Sequence, residues 1–219
     1  MVLSSVVESQ PHSVLYGRPL ENSLDSLTHM FCITCDERGN PMHELHKAIG
    51  VAIAEDRLEE CTVIKDQACG GKQSIPLFCC DEKSRKTEYC DVDLLIVKDN
   101  KVRVIVEIEE SNVTPIQICG KLLASALSSH FIHEKWSTPV EMGDSVLFIQ
   151  VLDTSRLKLD KTSKMGQWTR IEKSIRSVLP IMGSRICCYR MFQGDTKEFA
   201  PGSEKIKALV ACIQSFLAY

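Results

Sequence analysis

Three acidic residues, Asp93, Glu107 and Glu109, flank two short apolar segments of the sequence. Asp93 begins the first segment and the two glutamates end the second, and only residues 98–101 separate the segments. Because side chains alternate along a strand, Glu107 and Glu109 are expected to project from one face. A hairpin would fold the start of the first strand beside the end of the second. The spacing therefore predicts that the three carboxyl groups lie close together.

Carboxylates at such close range repel one another, and without a partner one of them takes up a proton. A hard divalent cation such as Mg²⁺, or Mn²⁺, relieves the repulsion because it prefers oxygen ligands. Such an ion can polarise a phosphoryl oxygen and lower the pKa of a bound water, so the residues predict phosphodiester hydrolysis. A Glu-x-Glu sequence is commonly just a solvated strand face. The apolar residues 104–106 instead favour a central strand, where unpaired carboxylates are costly.

The full pattern is Asp93, thirteen intervening residues, then Glu107-Ile108-Glu109. It resembles the Asp…(Asp/Glu)-x-Lys motif of the restriction-endonuclease-like, or PD-(D/E)XK, nuclease superfamily. The predicted elements over residues 42–152 also follow an order similar to that family's common core. The resemblance implies that Asp93 and Glu107 bind the metal ion. Glu109 stands where the motif normally has Lys, as in some type II restriction enzymes, and would bind or orient the attacking water, with a general-base role open to it.

Four further residues are candidates for supporting roles. Glu44 lies at the start of the first predicted helix, where family members often supply a carboxylate that binds the metal through water. It could equally be a first-turn acid favoured by the helix dipole. Asp91 can share a strand face with Asp93. Gln117 and Lys121 share one face of the second predicted helix, from which either could reach the scissile phosphate, and Lys121 could replace the charge of the missing motif Lys.

A basic cluster lies in the charged loop that precedes Asp93, where it could contact the DNA backbone. The alternative is an ordinary solvated loop. The cluster consists of Lys83, Arg85 and Lys86.

The elements that position these residues follow from hydrophobic periodicity. The predicted helices are 41–61, 114–131, 163–179 and 203–217. The predicted strands are 75–80, 91–97, 102–109, 146–152 and 186–192. Asp99-Asn100 suits a tight hairpin between the second and third strands, because both residues tolerate positive φ. The second helix is apolar on most sides, which predicts that it is largely buried, and strand 146–152 is apolar enough to be covered on both faces.

This order of elements predicts an α/β fold with a mixed central sheet and helices on both faces. The 219 residues fit one domain with an elaboration. We expect an N-terminal arm over 1–40 and a nuclease domain over 41–219. Within the nuclease domain, the common core would span about 42–152 and a C-terminal extension would span 153–219.

The formal net charge of −3 excludes a uniformly basic nucleic-acid coat protein but allows a local basic surface. No apolar stretch reaches the ~20 residues needed to span a bilayer. The first residues lack a basic leader before Glu8. A cytoplasmic protein without a membrane partner is therefore expected.

Eleven cysteines, an odd number without a secretion signal, argue against a disulfide framework. Most are expected to be reduced and buried, and those within apolar runs are Cys119, Cys187, Cys188 and Cys212. Two metal sites, the first of them for zinc, are weaker alternatives. One would use Cys32, Cys35, His43 and His46, but its spacing is loose. The other would use Cys69, Cys79, Cys80 and Cys90, two of which fall in a predicted strand.

These observations predict a Mg²⁺-dependent endodeoxyribonuclease of the type II restriction class acting on double-stranded DNA. The resemblance implies a homodimer that places one site on each strand. The alternative, motivated by Glu109, is a non-catalytic DNA- or protein-binding module on a degenerate nuclease fold. A third hypothesis is a zinc-stabilised regulatory protein that uses Cys32 and Cys35. RNA as the substrate and exonucleolytic cleavage remain open.

Overall fold

The fold is taken from a computed structural model, which describes residues 43–55, 58–110, 113–133, 135–136, 138–157 and 161–218. The expected arm over 1–40 lies outside these residues, and so do Cys32 and Cys35. No helix in the described ranges is both long and apolar enough to cross a membrane.

The described chain is an α/β structure of four helices and eight strands. The helices are α1 (Glu44–Glu55), α2 (Pro115–Leu127), α3 (Lys161–Val178) and α4 (Glu204–Leu217). The strands are β1 (Cys61–Lys65), β2 (Pro76–Phe78), β3 (Glu88–Asp91), β4 (Leu94–Lys98), β5 (Lys101–Glu109), β6 (His130–Phe131), β7 (Val140–Asp153) and β8 (Ile186–Gly194).

The strands form one mixed sheet in the order β1-β4-β5-β7-β6-β2-β3, and β8 pairs with β7 outside that path. β1, β4 and β5 form an antiparallel meander. α2 then carries the chain across the sheet, so that β5 runs parallel to β7, which in turn runs parallel to β8. The carboxyl ends of these three strands therefore meet at one edge of the sheet.

Helices cover both faces of the sheet, as predicted. α2 and α3 pack on one face through residues such as Ile118 and Trp168. α1 and α4 pack on the other through residues such as Ile49 and Leu209. Residues 146–152 of β7 are buried throughout and send alternate side chains into the two cores. The nearly continuous apolar sequence of this strand thus reflects burial on both sides.

The predicted hairpin between β4 and β5 is confirmed. Asp99 has a φ of 52° and Asn100 a φ of 55°, which is the left-handed conformation that a two-residue hairpin turn requires. The turn pairs Val97 with Val102, and an irregularity between Ile96 and Val97 then shifts the register by one residue, so that Leu94 pairs with Val106. One step further along the ladder, Asp93 falls opposite Glu107, so the turn at 99–100 and this register shift together bring the two carboxyl groups close.

Three strands were not predicted, and one of them changes the meander. Cys61–Lys65, expected to follow the end of a helix, is β1 and pairs with β4. The predicted strand 75–80 contains β2, which pairs with β3 and β6 instead of joining the meander. Strand β6 occupies the expected end of α2. These segments are so short that their pairing partners, and not their own sequence patterns, decide their structure.

The prediction that α2 is largely buried is wrong. Ile118 and Leu122 face the sheet, but Ile116 is 81% exposed, and Leu123 and Leu127 also lie on the outer surface. The prediction of four buried cysteines is also wrong. Cys119, on the outer side of α2, and Cys188 are exposed, and Cys187 and Cys212 are partly exposed. A helix on a single sheet has one solvent face, whatever its composition.

Two helical glycines provide a matched test of this packing. A Cβ at Gly50 of α1 would lie 2.2 Å from the carbonyl oxygen of Cys69, whereas one at Gly120 of α2 would meet nothing within 4 Å. We expect Gly50→Ala to destabilise the fold by about 1–3 kcal/mol through overpacking. Gly120→Ala should stabilise it by about 0.5–1 kcal/mol through helix propensity. Urea unfolding of both variants measures this, and equal effects would contradict the packing of α1.

Candidate functional site

The three predicted acidic residues meet at the carboxyl end of β5. Asp93 lies just before β4, and its Oδ2 accepts a 2.6 Å hydrogen bond from the backbone N–H of Ile108. Glu107 and Glu109 project toward α2, where the same lysine contacts both. The negative charges of Asp93 and Glu109 both raise the pKa of Glu107. The three carboxyl groups therefore form one electrostatic cluster.

Glu107 is the most deeply buried member of this cluster. Its side chain is 1% exposed, and its Oε1 atom is buried with no hydrogen-bond partner among the described residues. Burial and then the charge of Asp93 raise the pKa of Glu107 from 4.5 to about 8. At neutral pH the Glu107 carboxyl therefore tends to hold a proton unless a cation replaces it.

Lys121 of α2 contacts the carboxyl groups of both glutamates. Its Nζ lies 2.8 Å from Glu107 Oε2 and 2.6 Å from Glu109 Oε1. Burial works against the charged form of Lys121, but the two carboxyl groups outweigh it and raise the pKa of the lysine. The ammonium group is therefore held in the charged state directly over Glu107 and Glu109.

The start of α2 is fixed by local sequence. Thr114 is the N-cap and Pro115 follows it in the first turn. Gln117 completes a capping box, since its side-chain oxygen accepts a 2.9 Å hydrogen bond from the backbone N–H of Thr114. Gln117 is thus engaged at the helix terminus, whereas Lys121, one turn later, reaches the carboxyl cluster. Of the two residues predicted to share this face, the structure brings only Lys121 into contact with the acidic residues.

His46 of α1 is a second cation, on the opposite side of the sheet. Its Nδ1 lies 2.8 Å from Glu110 Oε1, and its Nε2 lies 3.6 Å from Asp93 Oδ2. Burial lowers the pKa of His46, but these two carboxylates outweigh burial and raise it from 6.5 to about 9. Asp93 is likewise held ionised: its burial is outweighed by His46 and by the Ile108 N–H, which lower the pKa of Asp93.

Glu110 also fixes the start of α1. Its two carboxyl oxygens accept hydrogen bonds from the backbone N–H groups of His43 and His46, at 2.8 and 2.9 Å. A carboxylate at a helix N-terminus satisfies donors that have no partner within the helix and complements the helix dipole. Burial raises the pKa of Glu110, but its bonds with His46 outweigh this and lower it from 4.5 to about 2.

Among the residues that the structure describes, one group of three has ligand atoms that all lie within 4.8 Å of one another. It consists of His43, His46 and Glu110. The group of Asp93, Glu107 and Glu109 does not meet this distance limit. Its carboxylates instead contact His46 and Lys121. Glu110 was not expected to take part, and the predicted zinc partners Cys32 and Cys35 lie outside the described residues.

The remaining predicted residues lie outside these contacts. Glu44 is exposed on α1, and Asp91 is exposed on β3 opposite Pro76; within the described part of the chain, neither contacts the cluster. The basic cluster lies in the exposed connection between β2 and β3. It consists of Lys83, Arg85 and Lys86.

Sequence reasoning missed the roles of His46 and Glu110. The alternation that places Glu107 and Glu109 toward α2 turns the next residue, Glu110, toward α1. The direction of the Glu110 side chain could therefore have been predicted from the sequence. The partner of Glu110 could not have been predicted in this way, because His46 lies 64 residues earlier in the chain. Comparison of the chain with protein-family models, curated proteins and solved structures found no match.

Replacing Glu110 by Gln tests whether this carboxylate anchors α1. Glu110→Gln should lower the free energy of unfolding by about 2 kcal/mol, the order expected for hydrogen bonds to a charged group. The stabilisation from Glu110 is lost as pH falls from about 4.5 to about 2, and that from His46 is lost as pH rises from 6.5 to about 9. The deficit of the variant, measured by urea unfolding, should therefore be largest between about pH 4.5 and 6.5.

Glu141→Gln is the matched control. Glu141 is exposed and pairs with Lys101 at the surface, where ion pairs contribute little to stability. A deficit in Glu110→Gln that is no larger than that of the control, or that is independent of pH, would show that Glu110 does not anchor α1.

Proposed function

We propose that this chain is a metal-dependent endonuclease of the restriction-endonuclease-like superfamily, of the type II restriction class, that hydrolyses phosphodiester bonds in double-stranded DNA. The observation that carries the proposal is the Glu107 carboxyl group. It is buried at the end of a central strand, one of its oxygens is unpaired among the described residues, and Asp93 and Glu109 crowd it. A buried anion in such a place is costly unless a cation compensates it.

The arrangement of elements supports this assignment. Helix α1, the antiparallel strands β1, β4 and β5, helix α2 and the parallel strand β7 occur in the order that the resemblance implies for the common core. β2 and β3 are inserted between β1 and β4, and β6 is inserted between α2 and β7. Asp93 immediately precedes β4, and Glu107 lies on the adjacent strand β5. A metal site at the end of β5 therefore agrees with both the motif and the connectivity.

The donor set fits a hard cation of the Mg²⁺ or Mn²⁺ type. Asp93 and Glu107 would hold it through carboxylate oxygens, the ligands that such ions prefer. The Oε1 atom of Glu107, which has no partner in the described part of the chain, is an oxygen that can accept it. When bound, the ion polarises a phosphoryl oxygen and lowers the pKa of a coordinated water. The Ile108 N–H and His46 would keep Asp93 oriented and ionised.

Lys121 and Glu109 would divide the role of the missing motif lysine. Lys121 Nζ brings the positive charge to the place where Glu107 and Glu109 meet, from α2 instead of from β5. There it can bind a phosphate oxygen and stabilise negative charge that develops on it. Glu109 supplies a carboxylate that can orient the attacking water and accept its proton.

The partner that fits this site is duplex DNA. The basic cluster at residues 83–86 is exposed in the β2–β3 connection, a few residues before Asp93, where it can contact phosphates. We also propose a homodimer, because cutting both strands at one place takes two sites. Residues 153–219 and the arm over 1–40 are the candidates for dimer contacts and base recognition.

One observation favours a second function, a DNA- or protein-binding module without hydrolysis. Lys121 and His46 already neutralise the acidic cluster, as the side chains of a degenerate site would. That alternative predicts binding without cleavage and an unchanged melting temperature when Mg²⁺ or Mn²⁺ is added.

Glu107→Gln separates these functions. The amide resembles the protonated carboxyl group, so the variant should keep its fold. It should lose the rise in melting temperature on adding Mg²⁺, because it no longer offers a charged ligand. Cleavage of plasmid DNA should fall at least about 10²-fold, the order of effect for removing one charge-stabilising group.

Glu141→Gln, which removes a carboxylate outside the site, should retain the Mg²⁺ response and the cleavage. If the wild-type chain cuts no DNA with either cation and neither cation raises its melting temperature, the binding-module function replaces the nuclease.

Replacing Lys83, Arg85 and Lys86 by Ala tests whether the basic cluster binds DNA. Without divalent cations, the variant should bind duplex DNA more weakly at all sequences. The slope of log K against log salt should fall by about 0.9 for each phosphate that the variant no longer neutralises. Alanine at Arg170, Lys173 and Arg176, which are located on α3, changes the charge equally and should leave the slope unchanged. The reverse result would place DNA against α3.

A further inference from the structure

The side chains of His43 and His46 and the carboxyl group of Glu110 meet where α1 begins and β5 ends. One ligand atom from each lies within 4.8 Å of the other two. The two imidazole rings stand edge to face with centroids 5.2 Å apart. Nitrogen and oxygen ligands therefore converge on one point, next to the acidic cluster but outside the Asp93–Glu107 pair.

Two properties of His43 indicate that this convergence has a use beyond capping α1. The Nδ1 atom of His43 is buried and neither accepts nor donates a hydrogen bond among the described residues. A buried nitrogen without a partner is costly. His43 also has a φ of 75°, a conformation uncommon outside glycine. The strained backbone therefore holds an imidazole whose Nδ1 has no partner in the described part of the chain.

We propose that His43, His46 and Glu110 form a second metal site, which binds a Zn²⁺-class transition-metal ion. Two imidazole nitrogens and one carboxylate are a zinc ligand set, and a four-coordinate ion would keep its fourth position open to water. Mg²⁺ is disfavoured here because it prefers an all-oxygen, octahedral environment. This site and the oxygen-only pair Asp93–Glu107 thus select different ions.

His46 connects the site to the acidic cluster. With Nδ1 turned toward Glu110, its Nε2 faces Asp93 Oδ2 at 3.6 Å. A metal-bound histidine commonly donates its second ring N–H to a carboxylate, which fixes the ring orientation. Zinc at this site would therefore position Asp93 as well as tie α1 to β5. The positioning of Asp93 for metal binding rests on the proposed function, whereas the zinc site itself does not.

The experiment titrates the full-length chain, stripped of metal, with Zn²⁺ in a calorimeter. We expect one high-affinity ion per chain and a higher melting temperature on binding. His43→Asn should weaken the affinity more than about 100-fold, which exceeds the usual cost of losing a residue that only orients a ligand. Asn is chosen because it tolerates the positive φ at this position. His130→Gln, in a histidine on β6 that bonds to Ser129, should bind as the wild type does.

Two further measurements identify the ligands. The Co²⁺-substituted protein should show no thiolate-to-cobalt charge-transfer band, and the double variant Cys32→Ser/Cys35→Ser should retain its Zn²⁺ affinity. A thiolate band, or loss of affinity in the cysteine variant, would assign the ion to the cysteines and overturn the site. A wild-type chain that binds no more tightly than His43→Asn would also overturn it.

Glu107→Gln separates this inference from the nuclease proposal. It should bind Zn²⁺ normally while losing its Mg²⁺ response, because Glu107 is outside the three-residue group. If the chain binds zinc but cuts no DNA, the zinc site is supported and the nuclease proposal is overturned. If the chain cuts DNA but binds no zinc, the nuclease proposal is supported and the zinc site is overturned.

Discussion

Repulsion among buried acidic groups is the constraint on which the site depends. Four carboxyl groups share the carboxyl end of β5 and the residue before β4: they are Asp93, Glu107, Glu109 and Glu110. The protein compensates them from both sides of the sheet, with Lys121 of α2 on one face and His46 of α1 on the other. Each of these two side chains also joins its helix to the end of the sheet. The ion pairs that compensate the acidic groups therefore also help to place α1 and α2.

Hydrogen-bond donors divide the buried acidic residues into two kinds. Asp93 and Glu110 receive backbone N–H donors and the imidazole of His46, and their pKa values are lowered. Glu107 has one oxygen with no donor among the described residues and the charge of Asp93 beside it, and its pKa is raised. This pairing of an ionised carboxylate with one that tends to hold a proton is the basis of our proposal that a cation displaces the proton of Glu107.

The two metal proposals follow from the alternation of β5. Glu107 and Glu109 face α2 and the oxygen-rich side, whereas Glu110 faces α1 and its histidines. Under the two proposals, Glu107 and Glu110 of this one segment would supply ligands to different environments, a hard all-oxygen pair and a mixed nitrogen–oxygen group. His46 contacts a carboxylate on each side, which makes it the residue through which one environment can influence the other.

The sequence by itself determined the local features. These are the left-handed turn at Asp99-Asn100, the shared face of Glu107 and Glu109 and the double burial of β7. Such features depend on φ preferences and on the two-residue period of a strand, which act over a few residues. The position of Asp93 opposite Glu107 depends in addition on the register shift between Ile96 and Val97. The tertiary structure alone decided that Cys61–Lys65 joins the meander and that His46 reaches Asp93 and Glu110. Those contacts join segments far apart in the chain, and no local pattern encodes which distant partner a short strand or a buried imidazole will meet.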